Sequence, residues 1–350
     1  MPAPHTNSDG DANLEWIRSR LQACGISADI PGGIEVDRSL QTNSGHVHFI
    51  QANTDPDSSP RLMVLKVYER DFLDFGMNEI LFYRHFCADS SLAPAPAFYG
   101  SYANAKDGFC HILTADLTPN HEICDRRRLG EQYSPIVRAL AELHARWWEH
   151  EMLSRDFMLI PQSGSVSMIQ ATTRPDIERA ALSLLDDLIP KFCDQHGDHL
   201  PAGWMNLMEA AAGTWPDLFG DRIAGRHHLT LLHGDANWEN IFLSRAPGGN
   251  ARFVDWECFK CGPSAYDVAY LLVSARNVEQ RREIESEVLR YYFDSLCAAG
   301  VAGYSYDDLI ADYRVSLIAN VFVAIAWRRL QAVFDAMTAF LDWECPALVC

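Results

Sequence analysis

The chain has 350 residues, 48% of them hydrophobic, and its 47 acidic side chains outnumber its 29 lysines and arginines, for a formal net charge of −18. This charge excludes non-specific nucleic-acid binding, which needs clustered basic side chains. It suits a cationic or neutral ligand, or an anionic ligand reached through a metal ion, and the length allows one large domain or two lobes.

The predicted elements begin after a polar N-terminal segment. Residues 1–12 contain neither a basic nor an apolar run, which predicts a disordered lead-in rather than a signal peptide. Strands are predicted in HVHFIQA and RLMVLKVYE, and a helix in FGMNEILFYRHFC. Another strand pair ends in CHILTADL. This first part therefore reads as a small β-rich lobe.

The rest of the chain has mainly helical patterns. Ser134 and Pro135 predict the N-cap and first turn of a helix that continues through LAELHARWW. Strand-like LTLLH, IFLS and ARFVDW interrupt the helices. The run SLIANVFVAIAWRRL is too short to span a bilayer and predicts a core helix. No membrane association is expected.

The ten cysteines are scattered through a chain without a predicted secretory signal, which favours reduced thiols and a cytoplasmic location. A structural zinc site needs four ligands. Neither the Cys258–Cys261 pair nor the group Cys193, His196 and His199 has a matching second half nearby. Whether either group binds anything stays open.

Lys66 lies in the middle of MVLKVY, among residues expected to be buried. A buried lone ammonium is costly and needs a carboxylate partner or an anionic ligand. Glu79, on the next predicted helix, is an available partner. The alternative is an edge strand with Lys66 on its wet face, and the pattern alone does not separate the two.

Four polar residues form a second constellation: Asp235, Asn240, Asp255 and Asp267. Each taken singly is explained by a cap or a turn. Together they meet the demands of phosphoryl transfer, which needs an oriented hydroxyl and oxygen ligands for Mg²⁺. A hairpin between IFLS and ARFVDW would bring a second carboxylate to the loop that carries the base and the amide.

These residues resemble the aminoglycoside phosphotransferase and choline kinase family of small-molecule kinases. HGDANWEN, FVDWE, GPSAYDVAYLL and LAELHARWW are most similar to its ecdysteroid kinase-like branch, over roughly residues 40–273. The resemblance implies an α+β, bilobal protein-kinase-like fold. Its lobes would be a nucleotide-binding lobe over residues 1–115 and a catalytic lobe over residues 116–350, with a helical substrate-binding insert over residues 149–228.

The resemblance also implies ATP and Mg²⁺ as cofactors. Asp235 would be the catalytic base, with Asn240 and Asp255 as magnesium ligands. Lys66 would contact the nucleotide phosphates and pair with Glu79. Two further residues would support the catalytic loop, namely His233 and Asp267.

Two departures from the family pattern concern the nucleotide. The loop expected over the phosphates, LQTNSGHVHF, has one glycine, Gly45, preceded by Ser44, where protein kinases have three glycines. The segment expected to face adenine has Ala115 where the family often has an acidic residue. It comprises Leu113, Thr114, Ala115 and Asp116.

The acceptor is expected to be a small molecule with a hydroxyl group, similar to an aminoglycoside, choline or a sterol. Aromatic and acidic residues of the insert, such as Trp204 and Glu209, would suit a cationic acceptor. The alternative is that these aromatics are core and these acids are solvated. Trp238 and Glu257 are further candidates for the pocket wall.

Two other functions stay open. A nucleotide-binding pseudokinase, acting as a scaffold or sensor, would explain the single-glycine loop and the altered adenine-facing segment. A metal-dependent hydrolase would use His233, Asp235 and Asp255 but leaves Lys66 without a role. The identity of the acceptor, the position phosphorylated, the choice between ATP and GTP, the biological role and the oligomeric state are not predicted.

Overall fold

The structure, a computed structural model, describes residues 14–26, 33–52, 60–87, 93–104, 108–159, 169–170 and 172–350. The predicted lead-in over residues 1–12 lies outside the described residues. The chain divides into two compact units. The first unit extends to Glu122 and includes Phe253–Glu257, and the second comprises Ile123–Arg252 and Cys258–Cys350. The segment around Asp255 thus folds with the first unit, although the predicted catalytic lobe, residues 116–350, includes it.

A five-stranded antiparallel sheet forms the centre of the first unit. Its strands are β1 (Ile34–Gln41), β2 (Gly45–Ala52), β3 (Arg61–Tyr68), β4 (Phe98–Asn104) and β5 (Phe109–Ala115), in the order β1-β2-β3-β5-β4. Two helices accompany the sheet: α1 (Leu14–Ala23) and α2 (Leu73–Phe86).

Strand β3 divides its residues between two faces because side chains alternate along a strand. Met63, Leu65 and Val67 are buried in one apolar cluster with Ile17 and Leu21 of α1. The intervening side chains of β3, including Lys66 and Tyr68, therefore lie on the opposite face of the sheet.

The second unit is mainly helical. Its helices are α3 (Leu129–Arg146), α4 (Asp156–Leu159), α5 (Arg174–Ser183), α6 (Ile189–His196), α7 (Trp204–Ala224), α8 (Ala265–Ser274), α9 (Val278–Ala298), α10 (Tyr306–Ala326), α11 (Leu330–Asp342) and α12 (Pro346–Val349). A π-helical segment over Leu184–Leu188 joins α5 to α6.

Five short strands complete the chain: β6 (His121–Ile123), β7 (Leu229–Leu232), β8 (Ile241–Ser244), β9 (Ala251–Phe253) and β10 (Lys260–Pro263). Strand β7 pairs antiparallel with β10, and the others form a sheet in the order β6-β8-β9. The predicted hairpin between IFLS and ARFVDW is therefore confirmed.

The predicted start of α3 at Ser134 and Pro135 is wrong. The helix begins at Leu129, and Pro135 lies inside it. Pro135 lacks the N–H that would bond one turn back, but burial of Leu129 and Gln132 extends the helix upstream. Gln132 also accepts a hydrogen bond from the backbone N–H of Asp125 at 3.0 Å through its side-chain oxygen. Tertiary packing thus overrides the local start signal.

Among the described residues, one helix is long and apolar enough to cross a membrane by length and composition. This is α10, whose most apolar window has a mean hydropathy of 1.7. Most of that window, 78%, is buried inside the protein. The predicted burial of this helix is thus confirmed. The prediction that it is too short to span a bilayer is wrong, because α10 begins at Tyr306, ten residues before the predicted apolar run, and it ends at Ala326.

Two buried histidines make the stability of the first unit depend on pH. Burial lowers the pKa of His48 and that of His111 to about 4, against about 6.5 in an unfolded chain. Within the described residues, His48 Nε2 and His111 Nδ1 have no hydrogen-bond partner that would favour the charged form.

We expect the free energy of unfolding to fall as the pH falls from about 6.5 towards 4, because the unfolded chain then binds more protons than the folded chain. Each histidine should contribute up to about 2 kcal/mol of this loss at pH 5.0. Urea titrations at pH 7.5 and 5.0 measure the difference, and His48→Gln with His111→Gln should reduce it. If the double variant lost as much free energy of unfolding between pH 7.5 and 5.0 as the wild-type protein, this assignment would be contradicted.

Candidate active site

Lys66 lies on the central strand of the first sheet. Strand β3 is flanked by β2 and β5, so the alternative of an edge strand is wrong. The Lys66 side chain is 16% exposed, and its ammonium Nζ lies 3.1 Å from Glu79 Oε2 and 3.1 Å from Glu257 Oε2. It also donates a hydrogen bond to Asp255. The buried cation is thus held by three carboxylates.

Charge dominates the protonation of this cluster. Burial alone would lower the pKa of Lys66, but the charges of Asp255, Glu79 and Glu257 raise it well above its usual value. Burial and the charge of Asp255 raise the pKa of Glu257 to about 8, despite the opposing effect of Lys66. The ammonium therefore stays protonated, and Glu257 releases its proton at a higher pH than an ordinary glutamate does.

Glu79 is fixed in place by neighbours of the first unit. It is 3% exposed on α2, and its Oε1 accepts a hydrogen bond from the Trp256 backbone N–H at 3.1 Å. The Tyr68 hydroxyl bonds both Glu79 and, at 2.8 Å, Glu257 Oε2. Sequence reasoning missed Tyr68, although its position two residues after Lys66 places it on the same face of β3.

The segment Asp255-Trp256-Glu257 is anchored to α2. The Trp256 ring stacks on Phe82 with 3.8 Å between ring centroids, and Asn78 Nδ2 donates to the Glu257 carbonyl at 2.6 Å. Asp255 has a φ of 67°, a left-handed conformation that is costly for a residue with a side chain. Such backbone strain is often found at functional sites.

Gly45 has a packing role in the first unit. A Cβ at this position would lie 1.9 Å from the Val67 carbonyl oxygen, so only glycine fits where β2 begins. The preceding Ser44 is buried, and its carbonyl accepts a hydrogen bond from the Glu69 backbone N–H at 3.0 Å. The glycine is thus explained by its approach to β3, and a phosphate contact there stays a prediction.

The segment predicted to face adenine comprises the last three residues of β5 and Asp116. Leu113 and Thr114 are buried within this strand. The Ala115 N–H donates to the Ala97 carbonyl at 2.8 Å, and the Asp116 N–H donates to the Leu62 carbonyl at 3.1 Å. The Asp116 carboxylate accepts from Thr118. An adenine at this edge would have to compete with these bonds or use other backbone groups.

Asp267 supports the loop that follows β7. It is fully buried on α8, and it accepts hydrogen bonds from the backbone N–H groups of His233 at 2.7 Å and Gly234 at 2.9 Å. His144 Nε2 lies 3.1 Å from the same carboxylate, and His144 Nδ1 lies 2.7 Å from the Tyr292 hydroxyl. Burial would raise the pKa of Asp267, but the hydrogen bond and charge of His144 lower it.

The Asp235 carboxylate is held by two side-chain amides. Its Oδ1 accepts from Asn237 Nδ2 at 3.0 Å, and its Oδ2 accepts from Asn240 Nδ2 at 3.1 Å. The Asp235 backbone N–H donates to His233 Nδ1 at 3.2 Å. Because Asn240 uses its Nδ2 for Asp235, its Oδ1 is the atom that can bind a cation.

Gly234 and Lys260 explain the tight shape of this loop. Gly234 has a φ of 83°, and a Cβ there would lie 2.0 Å from the Cys258 carbonyl oxygen. Lys260, opposite Leu232 in the β7–β10 pair, is 1% exposed, and its ammonium lies 5.2 Å from the centre of the Tyr266 ring. Burial lowers its pKa, against the charges of Cys258, Asp267 and Asp235.

Sequence reasoning assigned no role to Lys260. A lysine within the apolar and small residues of FKCGP was the available signal, the same kind that drew attention to Lys66. The missing information was its partners, which lie on other elements of the second unit.

A pocket of about 720 Å³, open to solvent, lies in the second unit beside this loop. Asn237, Trp238 and Tyr270 are among its lining residues. Trp238 is 2% exposed, and its Nε1 donates to the Leu271 carbonyl at 3.0 Å. The Tyr270 hydroxyl hydrogen-bonds Asp235, so two pocket residues touch the Asp235 carboxylate directly.

The other three predicted pocket residues do not line this pocket. Trp204 is buried at the start of α7, with its ring 5.1 Å from that of Phe334. Glu209 is exposed on the same helix. Glu257 belongs to the Lys66 cluster of the first unit. Whether these three residues contact an acceptor stays a prediction.

The cysteine and histidine groups supply no further metal-binding cluster in the described ranges. In those ranges, Glu79, Asp255 and Glu257 form the group that could hold a metal ion. Their ligand atoms lie within 4.8 Å of one another. All ten cysteines are free thiols.

Replacing Asp267 by Asn should loosen the loop from His233 to Asn240. An amide side chain at this position would offer one acceptor atom where the carboxylate serves two backbone donors and His144, so we expect about 2–4 kcal/mol less stability. Hydrogen exchange of residues 231–240 and urea unfolding measure the effect. The exposed Asp294→Asn is the matched control and should change stability by less than about 0.5 kcal/mol. Unaltered exchange in Asp267→Asn would refute the supporting role.

Comparison with known proteins identifies the family. The ecdysteroid kinase-like family matches residues 95–300, which is more than half of the chain. No curated protein sequence matches the chain.

Several solved structures share the fold. A choline kinase from Cryptosporidium parvum Iowa II is 11% identical, with a TM-score of 0.58 and 96% of each chain covered. A putative aminoglycoside phosphotransferase from Ralstonia eutropha JMP134 is 12% identical, with a TM-score of 0.55, and the match covers 97% of this chain and 99% of that one. The choline kinase LicA from Streptococcus pneumoniae is 14% identical, with a TM-score of 0.52, and the match covers 88% and 94%.

At these identities the structural likeness establishes the fold, and the predicted α+β, protein-kinase-like fold is confirmed. The family match covers the Asp235 loop, the Asp255 segment and Asp267. The chain therefore belongs to the ecdysteroid kinase-like family of small-molecule kinases.

Proposed function

We propose that the protein transfers the γ-phosphoryl group of ATP to a hydroxyl group of a small molecule, with Asp235 as the base. One observation carries this proposal above the others. The Asp235 carboxylate is oriented by Asn237 and Asn240 and is touched by Asn237 and Tyr270, which line a pocket that is open to solvent.

In the proposed reaction Asp235 accepts the proton of the acceptor hydroxyl. The hydroxyl oxygen forms a bond to the γ-phosphorus. The bond between that phosphorus and the oxygen that links it to the β-phosphorus breaks, and ADP leaves. The side-chain amides that bond both carboxylate oxygens of Asp235 limit its rotation, so the base is positioned before the acceptor binds.

Lys66 is proposed to contact the nucleotide phosphates. The ion pair with Glu79 at 3.1 Å and the raised pKa keep the ammonium charged and oriented. LicA, one of the proteins with this fold, has been solved in complex with AMP. This supports a nucleotide site for the present chain, to which we assign Lys66, Glu79, Ser44, Gly45 and the segment from Leu113 to Asp116.

Asn240 and Asp255 are proposed to hold Mg²⁺. Carboxylate and amide oxygens are the donors that Mg²⁺ prefers. Along the chain, Asn240 immediately precedes β8, and Asp255 is the second residue after β9. When bound, Mg²⁺ neutralises charge on the phosphates. The ligand atoms of Glu79, Asp255 and Glu257 lie within 4.8 Å of one another, which supports a cation beside Asp255.

The acceptor is proposed to be a small hydroxylated molecule. It shares this property with aminoglycosides, choline and sterols. No nucleic-acid or membrane partner is proposed, and a cytoplasmic location stays a prediction.

The direct test is ADP release from Mg²⁺ and ATP over a panel of hydroxylated amines, acids, sugars and polycyclic compounds. We expect turnover that requires both an acceptor and a divalent cation, and phosphorus NMR should show a new phosphate monoester. Nucleotide binding without turnover on any panel member would favour the pseudokinase. Hydrolysis supported by Zn²⁺ without ATP would favour the metal-dependent hydrolase.

A further inference from the structure

The lining of the second-unit pocket is positively charged, in contrast to the chain as a whole. Three arginines line it, Arg126, Arg276 and Arg329, whereas the chain has a net charge of −18. Among the described residues, none of these guanidinium groups forms an ion pair with a carboxylate. Their charges are therefore available to a ligand.

Two acidic residues line the same pocket, Glu239 and Asp335. Glu239 is exposed. Asp335 is 5% exposed, and its Oδ1 accepts a hydrogen bond from Gln331 Nε2 at 3.1 Å. Its Oδ2 has no hydrogen-bond partner in the described part of the chain, and burial raises its pKa. Three cations thus face two acidic side chains, and the charges of Arg276 and Arg126 act on the pKa of Asp335 against the effect of burial.

The remaining lining is largely apolar. Trp238, Val273, Val323, Ala324 and Trp327 line the pocket. Trp327 is 42% exposed, which is unusual for so large an apolar ring, and Trp238 presents a buried indole. Such a surface suits a flat, apolar body of rings rather than a strongly hydrated sugar.

The pocket leads to Asp235. Asn237 and Tyr270 line the pocket and hydrogen-bond the Asp235 carboxylate. A molecule in the pocket can therefore offer a hydroxyl to Asp235 at one end while the arginines contact another part of it.

We propose that the acceptor is a hydroxylated, largely apolar ring compound that also carries an acidic group, bound by Arg276, Arg329 and Arg126. This inference rests on the proposed kinase function. Guanidinium groups bind carboxylate, sulfate and phosphate through paired N–H donors, and a cationic acceptor would be repelled by the same lining. The expectation of a cationic acceptor came from the net charge of the chain and from aromatic and acidic residues of the insert, of which Trp204 and Glu209 lie outside this pocket.

The test uses matched sets of hydroxylated two- to four-ring compounds that carry a carboxylate, the corresponding carboxamide or an amine at one position. For wild-type protein with Mg²⁺ and ATP, we expect kcat/KM for the acid to exceed that for the amide by about tenfold or more, as expected for an ion-paired hydrogen bond. The amine should be the poorest substrate. In Arg276→Gln with Arg329→Gln, the ratio of acid to amide should fall to nearly one.

Arg328→Gln is the matched control, because Arg328 is exposed, adjacent to Arg329 and absent from the pocket lining. It should keep the acid preference. An amide or amine that is phosphorylated as well as the acid would overturn the inference while leaving the kinase proposal standing.

Calorimetric binding of the same compounds to Asp235→Asn separates the two proposals. If the acids bind more tightly than their amides, and if adding Arg276→Gln and Arg329→Gln abolishes this difference, the inference is supported even if no compound is phosphorylated. A lack of phosphorylation by the wild-type protein would count against the kinase proposal alone. Acids that bind no tighter than their amides would overturn the inference.

Discussion

Asp235→Asn should lower kcat by at least about a hundredfold, the usual effect of losing a positioned base. Asparagine keeps the size of the side chain and can still accept one hydrogen bond from Asn237 or Asn240, so the loop should stay folded. A neutral amide cannot take the proton of the acceptor hydroxyl. Nucleotide binding should be little changed, because the predicted phosphate-binding residues belong to the first unit.

The measurement is single-turnover phosphoryl transfer with a substrate of the wild-type protein, together with urea unfolding. Asp198→Asn, an exposed aspartate far from this loop along the chain, is the matched control and should retain wild-type kcat. If Asp235→Asn transferred the phosphoryl group at the wild-type rate, Asp235 would not be the base. A folded variant with lost transfer but retained nucleotide binding would also argue against a pseudokinase.

Lys66→Met should remove about 3 kcal/mol or more from the free energy of unfolding. Methionine fits the apolar part of the site, but it leaves Glu79, Asp255 and Glu257 without their shared cation. Glu79 is almost fully buried, so water cannot solvate its unpaired negative charge. Activity with ATP should be lost as well, since the proposed phosphate contact is removed.

A double-mutant cycle with Glu79→Gln separates these two effects. Removing the buried carboxylate should restore part of the lost stability in Lys66→Met, because fewer charges are left unpaired, but should not restore transfer from ATP. Lys191→Met is the matched control. Lys191 pairs with Asp187 at 2.5 Å, but both side chains are about half exposed, so the change should cost less than about 1 kcal/mol. Equal costs at Lys66 and Lys191 would contradict the assignment of a buried cluster.

Local spacing carried most of what could be predicted about the site. Asp235 and Asn240 are five residues apart, so the sequence predicts them on one loop, and the structure shows that their side chains are hydrogen-bonded. Asp267 lies 33 residues beyond Gly234, and only the resemblance to known kinases indicated that it would reach the backbone of the loop. The pairing of Lys66 with Glu79 was likewise open from the pattern, and the central position of β3 decided it.

The parts that could not be predicted depend on contacts between distant segments. The cation Lys260 lies beneath the loop because β10 pairs with β7, and no local pattern in FKCGP indicates that pairing. Tyr68 joins Glu79 and Glu257 because the segment after β9 packs against α2. Pro135 lies inside a helix because buried side chains extend α3 beyond the local start signal.

The sequence by itself determined a β-rich part followed by a mainly helical part and the loop that carries Asp235, because hydrophobic periodicity and short spacings depend only on neighbouring residues. The class of fold came from the resemblance to known kinases. The tertiary structure decided which charges meet. Arg126 lies before α3, Arg276 follows α8 and Arg329 precedes α11, so their common pocket exists only once these helices have packed. A net charge of −18 averages over the whole surface, and for that reason it could not reveal a positively charged pocket beside Asp235.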